Sequence, residues 1–359
     1  MSNQNKNTKI ALVGYMLAKG GMERVLSTVS QLLHDSGCTV HVIVLEDEVE
    51  YPYYGTLLNL GHYSKFQKYF ILKKYLKANQ FDYVIDFRHR INPWMELVFL
   101  HYIYRGLKVI YTVHTSVLAI HFTNKRWVAK QIFDKVHKVV SVSQEMNEII
   151  KKIYQFEKGM VISNCLPEKA FKVTLPEEKL PYKYIIAVGR LVKMKQFDKL
   201  IETFCKSGLL QKQIHLVILG EGEEMERLQR QIQDLNLTEF IHLLGFKKHV
   251  FSYIQKSEFL VLVSAYEGFG MVILEALALG TPVVSFDCET GPAEMIVDEY
   301  NGLLVKNQNF DALQIAISRM TNEQQLYDFC KTNAKQSVAK FSADVTRKKW
   351  LTLMHLNTI

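Results

Sequence analysis

Residues 265–277 read AYEGFGMVILEAL, and the apolar run Phe259–Val263 comes directly before them. The run predicts a buried parallel strand, and the glycine-rich turn after it predicts the start of a helix. In an open α/β sheet this order places free backbone N–H groups, here those of Gly270 and Met271, at the carboxyl edge of a strand. The positive end of the helix lies at the same edge. The segment therefore predicts an α/β fold with a ligand site at this turn.

Two carboxylates lie within this segment, eight positions apart. Glu267 is predicted in the turn, and Glu275 about one turn inside the helix, facing the same crevice. An ionised carboxylate has two acceptor oxygens and can bind a vicinal diol such as the 2′ and 3′ hydroxyls of a ribose. A second carboxylate beside a reacting sugar can hold its hydroxyls or stabilise positive charge at the anomeric carbon. The competing interpretation is a surface helix with two solvated glutamates.

The same segment resembles the E-x7-E motif of retaining GT-B glycosyltransferases of family 4. The resemblance implies that Glu275 binds the ribose of a nucleotide-sugar donor and that Glu267 orients the donor sugar. It also implies the GT-B fold, in which two Rossmann-like domains with parallel sheets face one another across a cleft.

The composition is that of a folded globular protein. The chain has 359 residues, enough for two domains of ordinary size, and 48% of them are apolar while 22% are charged. No apolar run approaches the ~18 residues that a membrane-spanning helix needs. The five cysteines are scattered and form no C-x-x-C pair, which argues against a disulfide framework or a zinc site and predicts a cytoplasmic location.

Apolar runs of strand length alternate with helical patterns along nearly the whole chain, as in parallel α/β layers. The predicted strands of the first half are Lys9–Gly14, Thr39–Leu45, Tyr83–Phe87, Leu107–Val113, Lys138–Val142 and Met160–Ser163. Those of the second half are Tyr184–Val188, Ile214–Leu219, Ile241–Leu244, Phe259–Val263, Pro282–Phe286 and Leu303–Val305. Two such series predict two Rossmann-like domains.

Prolines mark the boundary between the two series. The segment 166–183 contains three of the chain's seven prolines and is predicted to be an interdomain linker. Residues 1–165 then form an N-terminal domain, which the resemblance makes the acceptor side, and residues 184–340 form the nucleotide-sugar-binding domain. The last segment, 341–359, is predicted to be a helix that crosses back to the N-terminal domain.

A basic stretch follows the predicted strand Tyr184–Val188. It reads GRLVKMK, residues 189–195, and resembles the family's G-R-L-x(3)-K motif. A planar guanidinium matches paired phosphate oxygens, and an ammonium five residues later adds a movable positive charge. The resemblance implies that Arg190 and Lys195 neutralise the diphosphate of the donor, although Gln196 replaces the usual glycine after the lysine. Plain surface charge is the competing interpretation.

Two further glycine loops resemble donor loops of the family. Gly20 and Gly21 begin an amphipathic helix, Met22–Leu33, as in the family's G-G-x-E-R loop. Glycine lets the backbone approach a ligand closely, and the helix end attracts anionic or hydroxyl oxygens. Gly291 and Glu294 resemble a second donor loop, in which glycine precedes a helix that carries glutamate. Both loops can instead be plain strand-to-helix turns.

His114 ends the predicted strand Leu107–Val113. A neutral imidazole can hydrogen-bond a sugar hydroxyl or relay a proton. Similar transferases carry a histidine at this strand end, close to the donor sugar, so the resemblance places His114 with Glu267, Arg190 and Lys195 among the catalytic residues. Without the resemblance, a lone histidine at a strand end is more often structural.

The motifs occur in the family's order from Gly20 to Glu294, and together they predict a hexosyltransferase. The resemblance implies transfer of a hexosyl or N-acetylhexosaminyl group from a nucleotide-diphosphate sugar, with a UDP-sugar preferred, to an acceptor hydroxyl, with retention of anomeric configuration. No D-x-D triplet is present, so we expect no metal ion and no other cofactor. Two alternatives stay open: an epimerase or phosphorylase on the same scaffold, and a noncatalytic nucleotide-sugar-binding subunit.

Positive charge is concentrated in one region. Between Gly61 and Val140 there are 14 Lys and Arg against four Asp and Glu, a net of +10 in a chain whose total is +8. Two basic helices with aromatic residues are predicted there, over His62–Lys77 and Asn124–Lys138. Such helices suit an anionic membrane surface, whereas no nucleic-acid-binding motif is recognisable. We therefore expect no nucleic-acid partner. We expect a peripheral enzyme on the inner face of the cytoplasmic membrane, where its acceptor is a lipid-linked or cell-surface glycan. Solvated lysines on an ordinary Rossmann helix are the competing interpretation.

Overall fold

The computed structural model describes residues 8–166 and 180–357. The chain divides into two compact units: the first combines Met1–Pro167 with Phe341–Ile359, and the second is Glu168–Lys340. Most of the predicted linker, 166–183, lies outside the described residues.

The first unit contains a parallel sheet of seven strands. In chain order these are β1 (Lys9–Gly14), β2 (Thr39–Val44), β3 (Thr56–Asn59), β4 (Tyr83–Asp86), β5 (Val109–Val113), β6 (Lys138–Ser141) and β7 (Gly159–Val161). Across the sheet their order is β3-β2-β1-β4-β5-β6-β7, so the winding reverses between β1 and β4, which pair through Leu12 and Ile85. The carboxyl ends of these two strands flank a topological switch point, where open α/β sheets bind ligands.

Six helices of the first unit connect these strands: α1 (Gly21–Asp35), α2 (Lys65–Asn79), α3 (Pro93–Val98), α4 (Leu118–Phe122), α5 (Arg126–Lys135) and α6 (Gln144–Tyr154). Helix α3 continues directly into a π-helix, Phe99–Ile103. Local sequence fixes the start of α3, because the Asn92 side chain accepts hydrogen bonds from the N–H groups of Trp94 and Met95 at 3.1 Å each. Pro93 stands in the first helical turn, where its missing N–H costs nothing.

The core of the first unit joins the sheet to α1. Every residue of β1 and β2 after the first is buried, because a parallel strand is covered on both faces. Strand β3 is absent from the predicted strands. It is a short edge strand that is only half-buried, so its sequence lacks the continuous apolar run that identifies the others.

The second unit contains a parallel sheet of six strands. These are β8 (Lys183–Val188), β9 (Ile214–Leu219), β10 (Ile241–Leu243), β11 (Leu260–Leu262), β12 (Val283–Asp287) and β13 (Gly302–Lys306). Their order is β10-β9-β8-β11-β12-β13, so the switch point of this unit lies between β8 and β11. Its helices are α7 (Phe197–Lys206), α8 (Met225–Asp234), α9 (Val250–Lys256), α10 (Met271–Ala278), α11 (Pro292–Met295), α12 (Phe310–Asn322) and α13 (Gln324–Ser337).

The chain then returns to the first unit through α14 (Ala343–Leu353). Trp350 is buried in the core of the first unit. Thr346 Oγ1 donates to Ser163 O at 3.2 Å, and Tyr83 Oη donates to Met354 O at 3.0 Å. Residues from the far end of the chain therefore complete the hydrophobic core around β1 and α1.

The predicted fold class is confirmed, because both units are Rossmann-like layers built on a parallel sheet. Most predicted strands differ from the observed strands by one or two residues at an end. Such differences arise because the apolar run continues past the last ladder hydrogen bond, as at Leu45 after β2.

Candidate functional site

The loops after β8 and β11 meet at the switch point of the second unit. Ala265 N donates a hydrogen bond to Met194 O at 2.8 Å, which joins the loop after β11 to the basic loop after β8. Lys195 ends a short 3₁₀ turn, Lys193–Lys195, inside that basic loop. The two motifs that the sequence identified 72 residues apart are therefore adjacent in the fold.

Glycines make this close packing possible. Gly220 has a φ of +143°, and a Cβ there would lie 1.9 Å from Gly189 O. A Cβ at Gly222 would lie 2.2 Å from Leu191 O. Because the loop after β9 presses its backbone onto the backbone of the basic loop, no larger residue fits at these two positions. The G-x-G spacing of this loop was visible in the sequence, but its packing role requires the structure.

Lys195 and Glu267 form a direct ion pair between Nζ and Oε1. Only 17% of the lysine side chain and 11% of the glutamate side chain are exposed. Ser264 Oγ donates to the same Oε1 at 2.6 Å, and Thr290 Oγ1 donates to the backbone oxygen of Glu267 at 2.5 Å. Glu267 is thus held at both its side chain and its backbone, with its carboxylate facing the cation of the basic loop.

The thiol of Cys288 lies in the same surroundings. Burial, and then the negative charge of Glu267, raise its pKa to about 12. The thiol is therefore protonated at neutral pH and is a weak nucleophile. The charged chemistry of this region belongs to Lys195 and Glu267.

The turn before α10 has the form that the sequence predicts. Gly270 adopts φ +80° and ψ +56°, the left-handed conformation that favours glycine, and α10 begins at the next residue, Met271. Glu275 lies in the second turn of α10 and is 4% exposed. Gly291 has φ +99°, and a Cβ there would lie 2.5 Å from Phe269 O, so the loop before α11 packs against the same turn. Glu294, in α11, is half-buried.

Arg190 is exposed immediately after β8. Within the described part of the chain, no carboxylate forms an ion pair with its guanidinium. Of the two predicted phosphate ligands, Arg190 therefore faces solvent and Lys195 is engaged by Glu267. Among the residues that the structure describes, no group of three or more His, Cys, Asp or Glu side chains is arranged to hold a metal ion.

The other predicted residues, Gly20, Gly21 and His114, belong to the first unit. Gly20 is extended, with φ −126°, and α1 starts at Gly21. Any side chain at Gly20 would displace the carboxylate of Glu23, because its Cβ would lie 1.8 Å from Oε2. Because this carboxylate is the far end of a flexible side chain, packing alone does not demand glycine at this position.

His114 stands where the sequence places it, directly after β5. Its ring stacks on Phe87 with centroids 5.6 Å apart, and its backbone N–H donates to His121 Nε2 at 3.1 Å. Both ring nitrogens are buried without a hydrogen-bond partner among the described residues. Burial, followed by the positive charge of Arg90 and then of His89, lowers the pKa of His114 to about 3. A neutral ring of this kind favours hydrogen bonding to a hydroxyl over proton relay.

A small cavity lies beside His114 in the first unit. Polar side chains at its wall are Thr28, Thr112, Ser163, Asn164 and Thr346. Apolar side chains, among them Trp350 of α14, form the rest of the wall.

The sequence did not reveal a cluster of buried charges at the switch point of the first unit. The cluster consists of Asp86, which ends β4, and of Arg88, Arg90 and Glu96, which follow it; all four are at most 1% exposed. Arg88 Nη2 donates to Asp86 Oδ2 at 2.7 Å and to Glu96 Oε2 at 3.3 Å, and Tyr111 Oη donates to Glu96 Oε1. Burial raises the pKa of Glu96, and the charge of Arg88 opposes that rise. The available signal was the sequence DFRHR, residues 86–90, directly after an apolar strand.

These four residues, the buried network, carry two positive and two negative charges. The net charge of +10 counted between Gly61 and Val140 therefore lies outside it. Only Leu72 and Leu76 of α2 are buried, whereas Phe66 is 88% exposed. The apolar residues of α2 are thus not all packed beneath the helix, as the competing interpretation would require.

Three segments form one continuous basic aromatic face on the first unit: α2, α3 with its π-helix, and α5. Lys73 Nζ lies 3.1 Å above the ring of Tyr102, which joins α2 to the π-helix. Trp94 of α3 and Trp127 of α5 pack edge to face, with centroids 6.1 Å apart. Trp94 is 69% exposed. None of the helices formed by the described residues is both long and apolar enough to span a membrane.

Two family models match the chain in succession. The model described as Glycosyltransferase Family 4 matches residues 19–168, and the model described as Glycosyl transferases group 1 matches residues 168–337. Together they cover both units, apart from the two ends of the chain.

Similar proteins support the same grouping. Over 352 residues the chain is 26% identical to the N-acetylgalactosamine-N,N'-diacetylbacillosaminyl-diphospho-undecaprenol 4-alpha-N-acetylgalactosaminyltransferase of Campylobacter jejuni, a match over 93% of this chain and 95% of that protein. It is 36% identical over 190 residues to an exopolysaccharide phosphotransferase of Streptomyces coelicolor, a match over 53% of this chain but only 20% of that protein. The chain thus spans about a fifth of that relative's length.

A solved structure shares the fold over nearly the whole chain. The Anabaena protein HepE, crystallised in complex with UDP, matches with a TM-score of 0.78 at 18% identity. The match covers 97% of this chain and 100% of that one.

Proposed function

This chain belongs to the GT-B glycosyltransferases of family 4, and we propose that it transfers a hexosyl or N-acetylhexosaminyl group from a UDP-sugar to an acceptor hydroxyl, with retention of configuration. The observation that carries the proposal is the meeting of Lys195 and Glu267 at the switch point of the second unit. A cation suited to a diphosphate and a carboxylate suited to sugar hydroxyls lie there in direct contact. The UDP bound to the similar Anabaena protein supports uracil as the base.

Donor binding in this proposal uses three kinds of group in the second unit. Arg190, which is exposed, and Lys195, which is half-buried, neutralise the diphosphate. The amides of Gly270 and Met271 offer N–H groups at the positive end of α10. Glu275, buried in the next turn, accepts hydrogen bonds from the ribose hydroxyls. Gly291 lets the loop before α11 close against this turn, and Glu294 of α11 contributes to donor binding.

Transfer then depends on charge stabilisation as the bond from the anomeric carbon to the diphosphate breaks. Arg190 and Lys195 stabilise the departing diphosphate without a metal ion. Glu267 orients the sugar and stabilises positive charge at the anomeric carbon. The resemblance also assigns Gly20, Gly21 and His114 of the first unit to the donor, and the lowered pKa of His114 would make it a neutral hydrogen-bonding group.

The test is a screen of UDP-hexoses, UDP-N-acetylhexosamines and GDP-mannose by thermal shift, followed by turnover assays with the sugar that stabilises the protein. A true donor raises the melting temperature, and the rise continues with the logarithm of donor concentration above the dissociation constant. Release of free sugar or of an epimer without an acceptor would favour an epimerase or phosphorylase. Binding without turnover in the presence of lipid-linked glycans would favour a noncatalytic subunit.

The acceptor in this proposal is a lipid-linked or cell-surface glycan, met by a peripheral enzyme at the cytoplasmic face of an anionic membrane. The name of the Campylobacter relative includes a diphospho-undecaprenol acceptor. The basic aromatic face combines exposed lysines with Phe66, Trp94 and Trp127, the residue types that suit a membrane interface.

Membrane binding is tested by co-sedimentation with phosphatidylglycerol-containing vesicles. Lys65, Lys74 and Lys77 are exposed on α2, so the triple Lys→Gln variant should weaken binding by about 1 kcal/mol per lysine. A matched variant of the second unit, with Lys206, Lys212 and Lys248 changed to glutamine, should sediment like the wild type. Wild-type binding should fall with rising salt, and failure to sediment at low salt would favour a soluble acceptor.

A further inference from the structure

The ion pair of the second unit joins residues that bind different halves of the proposed donor. Lys195 serves the diphosphate and Glu267 serves the sugar, yet here each is held by the other. An ammonium has only donors and a carboxylate only acceptors, so each group presently engages the partner that the other half of the donor requires. The diphosphate carries more negative charge than one carboxylate and competes with Glu267 for the ammonium, so we expect donor binding to draw Lys195 away from Glu267.

The surroundings allow this exchange to occur through side chains alone. Thr290 Oγ1 fixes the backbone oxygen of Glu267 at 2.5 Å, and Ala265 N fixes the loop of Lys195 through Met194 O at 2.8 Å. The stem of Lys195 lies across Gly189, with Cε 3.5 Å from the position that a Cβ would take there. A lysine stem has four rotatable carbons, so its ammonium can leave Glu267 while both loops stay in place.

We propose that the Lys195–Glu267 ion pair is an exchange switch that makes the site selective for an intact nucleotide-diphosphate sugar over the free nucleoside diphosphate. The inference rests on the proposed function and extends it to product release. Free UDP withdraws Lys195 and leaves the largely buried Glu267 with Ser264 as the one side-chain donor among the residues that the structure describes. An intact donor supplies sugar hydroxyls to the same carboxylate.

The binding free energies of UDP and of the intact donor therefore differ in one contribution, the cost of separating Glu267 from its cation. A largely buried carboxylate that loses its cation is destabilised unless new hydrogen bonds replace it. Binding of UDP incurs this cost, whereas the sugar hydroxyls of the intact donor replace the lost cation and avoid it. After transfer the sugar is gone, so Glu267 recaptures Lys195 and weakens the hold on the remaining UDP.

The experiment is calorimetric titration of UDP into the wild type and Glu267→Gln. Without the carboxylate charge, Lys195 is free for the diphosphate, so we expect the UDP dissociation constant to fall by about three- to tenfold. Two matched controls make the same chemical change elsewhere in the unit. Glu275→Gln should weaken UDP binding, because it removes the ribose acceptor, and Glu289→Gln, at an exposed position, should leave it unchanged.

Unchanged or weaker UDP binding by a folded Glu267→Gln protein would overturn the exchange switch, as would equal tightening in Glu289→Gln. If Glu267→Gln does not fold, Glu267→Asp replaces it, because the shorter side chain keeps the charge but withdraws it from Lys195. Tightening by Glu267→Asp supports the switch, and its absence overturns it. Absence of nucleotide binding in the wild type would instead contradict the proposed function.

Discussion

Each unit places opposite charges at the carboxyl ends of the strands that flank its switch point, but the two sets differ in what surrounds them. In the first unit Asp86, Arg88, Arg90 and Glu96 are almost wholly buried and satisfy one another, together with nearby hydroxyl and carbonyl groups. In the second unit Lys195 and Glu267 keep part of their side chains exposed, and Arg190 faces solvent.

This difference separates structural charge from functional charge. A buried network cannot exchange partners with a ligand without leaving an unpaired charge in the interior, so loss of any one member destabilises the fold. A partly exposed pair can exchange partners with a ligand that supplies new hydrogen bonds to both of its members. The same sheet topology therefore supports a fixed anchor in one unit and an exchangeable site in the other.

The largest expected effect concerns the buried network of the first unit. Asp86→Ala leaves Arg88 and Arg90 buried without their shared carboxylate, so we expect a loss of about 3–5 kcal/mol in the free energy of unfolding. All three tryptophans, Trp94, Trp127 and Trp350, lie in the first unit, so their fluorescence in urea reports its unfolding. Asp134→Ala, which removes an exposed carboxylate of the same unit, should leave this transition within about 0.5 kcal/mol of the wild type. Equal losses of unfolding free energy in the two variants would contradict a stabilising role for the buried network.

The next effect concerns Glu275, which is buried but assigned to a ligand. Glu275→Ala should leave a folded protein whose donor binding is weaker by about 1.5–3 kcal/mol, because the ribose hydroxyls lose a charged acceptor. Glu275→Gln keeps the shape and loses the charge, so it should weaken binding by a similar amount. Calorimetry measures both values. Wild-type donor affinity in either variant would show that Glu275 is a structural residue and does not bind the ribose.

The smallest expected effect concerns the two cations. Arg190→Ala and Lys195→Ala should each slow transfer by about 10- to 100-fold, with little change in melting temperature, because each removes one charge from the departing diphosphate. Initial rates with the identified donor give the comparison, and the wild-type rate should survive EDTA. Loss of activity on chelation and its return with Mg²⁺ would contradict the proposed stabilisation by side chains.

The sequence was most informative where function depends on a local motif. The glycine turn and its two glutamates are contiguous, so Gly270 and the start of α10 could be placed from 13 residues, 265–277. Continuous apolar runs likewise revealed the strands that are buried on both faces. The half-buried edge strand β3 has no such run and was missed.

Contacts between distant segments could not be predicted. Glu96, Tyr111 and His121 come from three separate segments, and only the fold brings them to Asp86 and the arginines that follow it. The ion pair of Lys195 and Glu267 spans 72 residues, and no spacing rule connects its partners. The sequence identified which side chains carry charge, but the pairing of those charges is a property of the folded sheets.

The return of α14 to the first unit has a consequence for synthesis on the ribosome. The buried surface of α1 and β1 lacks Trp350 until the whole second unit, Glu168–Lys340, has been translated. At about 5–20 residues per second this interval lasts on the order of ten seconds or more. During it the nascent first unit exposes apolar surface that the mature protein hides. Helix α14 therefore completes the core of the first unit only after the second unit has been synthesised.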